Sequence, residues 1–264
     1  MNGDLRSRFI ELVERVDPVR LRILVRMAEA LTTEVPMWVD PGSTFLTHDL
    51  AAAFGSQLLL HHATHEEKLN KKTFEYTLKY ACEAVEFDVT LNANPTFPAE
   101  DLNINGTSFS LKTQADRGIR PGGVYIQKLM EARWIRDYDD PVGLTDAARR
   151  KIGAHLASYQ RMLVLRAFNV LDGGYRYQLV EVPLPLLRLV SSLPDRAFPE
   201  KNKARSSGAD VRDDRGVAFR VLLDGSVEKV RLFNIRIDRC VVHAEWQIPQ
   251  MVVPGGDDED EGGE

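Results

Sequence analysis

The sequence predicts an α/β (α+β) chain in which a helical N-terminal segment leads into a mixed sheet. Three observations predict it. Apolar residues recur at helical spacing through roughly the first 65 positions, two alternating runs meet at Asn105-Gly106, and from residue 72 the elements follow the order αβββαβ. With 264 residues, 44% of them hydrophobic and 28% charged, the chain can bury a substantial core.

Residues 4–16 place Leu5, Phe9, Leu12, Val13 and Val16 on one helical face. Asp17-Pro18 then supplies a cap and first-turn proline for a second helix carrying Leu21, Leu24, Val25, Ala28 and Leu31. After the break Val39-Asp40-Pro41-Gly42, the stretch from Leu46 to Leu60 reads as a third helix, so residues 1–66 form an all-helical annex. Phe74, Leu78, Ala81, Cys82 and Val85 mark a helix over 72–85, and the alternation of Phe87, Val89 and Leu91 a strand over 86–91. Strands 101–104 and 107–113 flank Asn105-Gly106, which fits a type I′ turn because that turn needs positive φ at both central residues. A helix is expected over 123–136, then strands 162–170 and 175–182 around Leu171-Asp172-Gly173-Gly174. Residues 191–216, rich in Pro, Ser, Gly and charge, read as a mobile loop. A hairpin over 217–223 and 226–235 turns at Asp224-Gly225, and a last strand spans 240–248. The expected units are the annex 1–66, a main domain 67–254 and an acidic disordered tail 255–264.

The chain has 34 basic and 39 acidic side chains, for a net charge of minus 5. Gly255 to Glu264 hold six acids and no base, and without them the balance is plus 1. The negative charge that would argue against a nucleic-acid partner therefore lies in the tail. No apolar run approaches a membrane span, and no signal peptide is seen. Two cysteines, Cys82 and Cys240, suit a reducing cytoplasm and exclude a disulfide framework or cysteine zinc site. No GxSxG, GxxxxGK or GxGxxG occurs, so triad hydrolases, P-loop NTPases and dinucleotide enzymes find no support. His61, His62 and His65 lack a companion that would complete a zinc pattern and fit a helix end; His243 fits a packed, hydrogen-bonded position.

In strand 107–113, Phe109 and Leu111 face one way, and Ser108, Ser110, Lys112 and Gln114 the other. Pairing across the Asn105-Gly106 turn brings Asp101 toward Lys112. A carboxylate beside a lysine suits metal-assisted phosphodiester hydrolysis, in which Mg²⁺ takes one or two protein carboxylates and the lysine orients or deprotonates the attacking water. Glu75 and Glu131 are the carboxylates available on the neighbouring expected helices. The bland alternative makes Asp101 a turn cap and Lys112 a solvated strand lysine. Around them, residues 112–136 carry six bases, Lys112, Arg117, Arg120, Lys128, Arg133 and Arg136, against two acids, and arginine reads guanine O6 and N7 in a bidentate manner.

The element order, with Asp101 and Lys112 on its second and third strands, resembles the core of the PD-(D/E)XK nucleases, a restriction-endonuclease-like αβββαβ fold. The segments Leu111-Lys112-Thr113-Gln114-Ala115-Asp116, Ile126-Gln127-Lys128-Leu129-Met130-Glu131, Tyr177-Gln178-Leu179-Val180-Glu181-Val182-Pro183 and Cys240-Val241-Val242-His243-Ala244-Glu245-Trp246 look like the Sma-type restriction endonucleases over about residues 60–250. That resemblance implies a type II restriction endonuclease, a homodimer in the cytoplasm using Mg²⁺ to cut double-stranded DNA at CCCGGG. It assigns catalysis to Asp101, Lys112, Glu131 and Glu75, metal binding to Asp101 and Glu131, and DNA contacts to Ser110, Gln114, Arg117, Arg120 and Lys128. The sequence departs from the superfamily pattern in having Ser110 where an acid is expected and Glu100-Asp101 in place of Pro-Asp, so the second carboxylate has to come from a helix. A repair or mobile-element nuclease, and a DNA-binding protein that has lost catalysis, are the alternatives.

Overall fold

A computed structural model describes residues 2–92, 100–116, 118–171 and 173–250. Arg117 and the acidic tail lie outside them. The N-terminal helices are α1 (Asn2–Val13) and α2 (Pro18–Thr32), the latter capped by Asp17, whose side chain accepts from the Val19 and Arg20 amides. The first 66 residues are not all helical, because Met37–Val39 forms β1. Helices α3 (His48–His62) and α4 (Lys71–Ala84) follow, then β2 (Val89–Leu91), β3 (Leu102–Ile104) and β4 (Thr107–Gln114). Asn105 and Gly106 take φ of 49° and 79°, the two positive values that a type I′ turn requires, and Ile104 pairs with Thr107 across it.

The expected helix over 123–136 is a strand, β5 (Gly123–Glu131), followed by a short 3-10 turn. β5 pairs antiparallel with β10 (Lys229–Arg236) in an irregular register, which turns Val124, Ile126 and Leu129 inward. The shift from a two-residue to a three-residue interval imitates the spacing of a helix. The helix of the αβββαβ order is instead α5 (Pro141–Leu156), capped by Asp140 and connecting β4 to the parallel strand β6 (Arg161–Asn169). Strands β7 (Tyr175–Glu181) and β11 (Val241–Ile248) complete a seven-stranded mixed sheet in the order β1-β11-β7-β6-β4-β3-β2.

Residues 191–216 are also more ordered than expected. They include β8 (Ser207–Asp213), where Ser207, Ala209 and Val211 point inward and Asp210 and Arg212 outward; such small and polar residues read locally as loop. With β9 (Gly216–Asp224), β10 and β5 it forms a second, four-stranded antiparallel sheet.

The larger sheet is covered on both faces. Leu163 and Leu165 of β6 turn toward α3 and α4, meeting Leu50, Phe54, Phe74, Leu78 and Trp246. Met162 and Val164 turn toward α5 and the second sheet, meeting Ile152, Ile126, Val221 and Leu232. Helix α3 is thus built into the main core, where Trp246 Nε1 donates to the Ala51 carbonyl at 2.9 Å. Among the described residues no helix is long and apolar enough to cross a membrane.

Candidate active site

The β3–β4 hairpin fixes the centre. The amide of Asp101, one residue before β3, donates to the Phe109 carbonyl at 2.8 Å, which directs its carboxylate across the start of β4. Oδ2 accepts from the Leu111 amide at 2.6 Å and from the Ser110 hydroxyl at 3.3 Å. Lys112 Nζ lies 3.9 Å from Oδ2 and donates to Ser110 Oγ at 2.8 Å. Ser110, which stands where an acid was expected, therefore links the carboxylate to the lysine. From α4, Lys71 Nζ reaches Asp101 Oδ1 at 2.6 Å and Glu75 Oε1 at 3.2 Å. Asp101, Glu75, Ser110 and Lys112 are thus brought together by three elements.

Burial raises the Asp101 carboxyl but is outweighed by the Lys112 and Lys71 ammonium groups and the Leu111 amide, so its pKa falls below the ordinary value. Glu75 goes the other way: burial and the nearby Asp101 charge raise it against the pull of Lys71. Burial pushes Lys112 down to about 8, with the Asp101 charge opposing and Lys71 assisting. A lysine that loses its proton this close to neutrality can hand protons to and from a bound water.

Glu131 is not part of this cluster. It ends β5, exposed and ion-paired with Lys128, and it is not among the groups acting most strongly on Asp101 or Glu75. Its assignment rested on a helix that does not exist. Gln114 is buried, with Oε1 accepting from Arg166 Nε at 3.2 Å and from the Tyr125 amide at 3.3 Å. Arg120 and Lys128 are exposed, Lys128 in its ion pair with Glu131. Lys201, in the segment read as a mobile loop, is instead tied to Asp139 at 3.0 Å and to the Ile135 carbonyl.

Three features escaped sequence reasoning. Lys71 carries no motif. His155 and Tyr159, near the end of α5, pack ring to ring at 5.4 Å, and both feel the Asp101 charge. His155 Nε2 and the Tyr159 hydroxyl are buried without a hydrogen-bond partner. Arg166 is fully buried and heads a polar row across four strands: Gln114, Arg166, Gln178 and Glu245 stand in register. Its guanidinium also holds the carbonyls of Arg120, Pro121 and Gly123, and so anchors the loop between β4 and β5. The histidines behave as expected. His61 and His62 close α3, with His62 Nε2 on the Tyr177 hydroxyl at 2.8 Å, and buried His243 bridges Ser43 and Glu181.

The SmaI family model, described as type II site-specific deoxyribonuclease, matches residues 16–248. The chain belongs to this family. It is also 25% identical over 204 residues to the type II restriction enzyme SmaI of Serratia marcescens, an alignment covering 75% of this chain and 79% of that protein. No solved structure matches it. A member of the SmaI family is a hydrolase that cuts DNA at specific sites, and its bound substrate is a polyanion. Type II restriction enzymes generally use divalent metal ions. The donors here fit one: two carboxylates converge on a single cationic group, the Lys71 ammonium, and hard divalent ions take carboxylate oxygen with water and phosphate completing the shell.

Proposed function

We propose that the chain is a Mg²⁺-dependent type II restriction endonuclease of the PD-(D/E)XK kind, in which Asp101 and Glu75 hold the metal and Lys112 positions the attacking water. The observation that carries this is the pair of carboxylates sharing one ammonium beside a buried lysine with a lowered pKa. Bound Mg²⁺ would supply neutralisation of the charge that develops on phosphorus and acidification of water. The protein's own part is orientation. Ser110 holds the Lys112 ammonium, the Leu111 amide fixes Asp101, and Lys112 offers a proton donor or acceptor to the water. Arg120, Lys128 and Arg117 are assigned to DNA, and resemblance of the quoted segments favours CCCGGG as the site.

A palindromic target calls for a two-fold enzyme, so the working unit is a homodimer. Leu5, Phe9 and Leu12 of α1 and Val19 and Ile23 of α2 support this, because each is at least half exposed. Large apolar side chains left in water on two neighbouring helices of the chain mark a surface for a partner to cover. Two free cysteines suit a cytoplasmic enzyme.

The test is plasmid cleavage with Mg²⁺ by the wild type and by Lys112→Ala. Discrete fragments from the wild type and intact DNA from the variant support the reading, and end mapping identifies the site. Random degradation would point to a repair or mobile-element nuclease, and intact DNA from both with binding retained would mean catalysis has been lost.

A further inference from the structure

Resting on the reading of Asp101 and Glu75 as metal ligands, we propose that Lys71 is the resident counter-ion of the metal site, displaced when the divalent ion enters and therefore setting the metal concentration the enzyme needs. The geometry is that of a stand-in cation. The Lys71 ammonium contacts one oxygen of each carboxylate, at 2.6 Å and 3.2 Å, and among the described residues it pairs with no other acid. Two largely buried carboxylates that converge repel one another, and an ammonium between them removes that repulsion before any metal arrives.

A second, independent observation is the position of the lysine. Lys71 is the first residue of α4, Lys72 follows it, and the first turn contains no acid. Positive charge at a helix N-terminus opposes the helix dipole, whose favoured first-turn partners are Asp and Glu. The local rule is broken where a lysine serves the carboxylates. The helix start itself does not depend on Lys71, since the Asn70 side chain caps it by accepting from the Thr73 amide at 3.0 Å.

The two lysines of the site differ in their freedom to move. The Lys112 side chain is 13% exposed and tied to Ser110, whereas that of Lys71 is 46% exposed on a flexible stem. Lys71 can withdraw its ammonium into solvent when a divalent ion takes its place, leaving Lys112 behind. Binding is then an exchange of one cation for another, and the apparent metal affinity is lowered by the strength of the Lys71 contacts.

The experiment measures Mn²⁺ and Ca²⁺ binding to the full-length chain by calorimetry, with no turnover required. Lys71→Met should bind about tenfold more tightly than the wild type. Lys72→Met, which removes the same charge one residue away, should change affinity less than twofold. The half-maximal Mg²⁺ concentration for cleavage should fall in parallel for Lys71→Met. Lys71→Gln, with folding checked by circular dichroism, serves as a second variant should methionine perturb α4. If Asp101→Asn abolishes metal binding while both Lys71 variants bind as the wild type or more weakly, the counter-ion role is overturned and the metal reading stands. If Asp101→Asn and Glu75→Gln bind metal as the wild type does, the metal reading itself fails, and the counter-ion role falls with it.

Discussion

Replacing Arg166 with methionine tests how the loop before β5 is held. The side chain is fully buried, and among the described residues its charge has no carboxylate in direct contact, Glu245 acting on it only at a distance. Instead the guanidinium donates to Gln114 Oε1 at 3.2 Å, to Gln178 Oε1 at 2.6 Å, and to the carbonyls of Arg120, Pro121 and Gly123 at 2.7, 3.3 and 3.0 Å, while stacking 4.9 Å over Phe168. Burial lowers its pKa to about 10, so it remains charged at neutral pH. Methionine keeps the apolar stem, ends where the guanidinium begins, and removes a desolvated charge, which is favourable. Against that, Gln178 Oε1 lies inside the protein and loses its donor, at about 1–3 kcal/mol, while Gln114 Oε1 keeps the Tyr125 amide and loses one of its two donors. The loop carbonyls lie nearer the surface and can turn to water. The balance is a loss of about 2 kcal/mol, the scale of leaving one buried acceptor without a donor and weakening a second. Urea denaturation of wild type and variant measures it, and hydrogen exchange at Gly122 and Gly123 should quicken at the same time. A variant within 1 kcal/mol of the wild type, with unchanged exchange in the loop, would refute the anchoring role.

Two further predictions concern pH and assembly. His62, pushed to about 4 chiefly by burial, has a folded pKa below its unfolded value near 6.5. Between those values the unfolded chain binds a proton that the folded chain does not, so stability is full above about pH 6.5 and falls by about 3 kcal/mol as pH drops toward 4; His62→Gln should flatten the slope of urea midpoint against pH by one proton. Leu5→Asp combined with Phe9→Asp, on the exposed face of α1, should convert a dimer to a monomer in sedimentation with an unchanged circular dichroism spectrum. A wild-type monomer at cleavage concentrations, or a variant that still dimerises, would remove this face as the interface.

The parts of the site that were legible in the sequence are those set by local backbone chemistry. Asn105-Gly106 dictated a turn with two positive φ values, the turn dictated the register, and the register brought Asp101 to Lys112. The element order was legible too, though its helix lay one element further on. Asp140-Pro141 carries the same start signal as Asp17-Pro18, but Gly143 and Gly153 weaken the helical pattern behind it, while the irregular β5 imitates a helix. What could not be read depends on contacts between distant segments: Lys71 with Asp101, His155 with the charge of Lys112, Arg166 with a loop some 45 residues earlier. Even so, the sequence carries the local anomalies that these contacts resolve. Two lysines open a helix whose dipole disfavours them, and an arginine interrupts an otherwise apolar strand. Neither is stable on local grounds, so each requires a compensating partner supplied by the fold. Carboxylates that serve as that partner for Lys71 are, by the same reasoning, carboxylates that would repel one another without a cation, and this is the property a metal site needs.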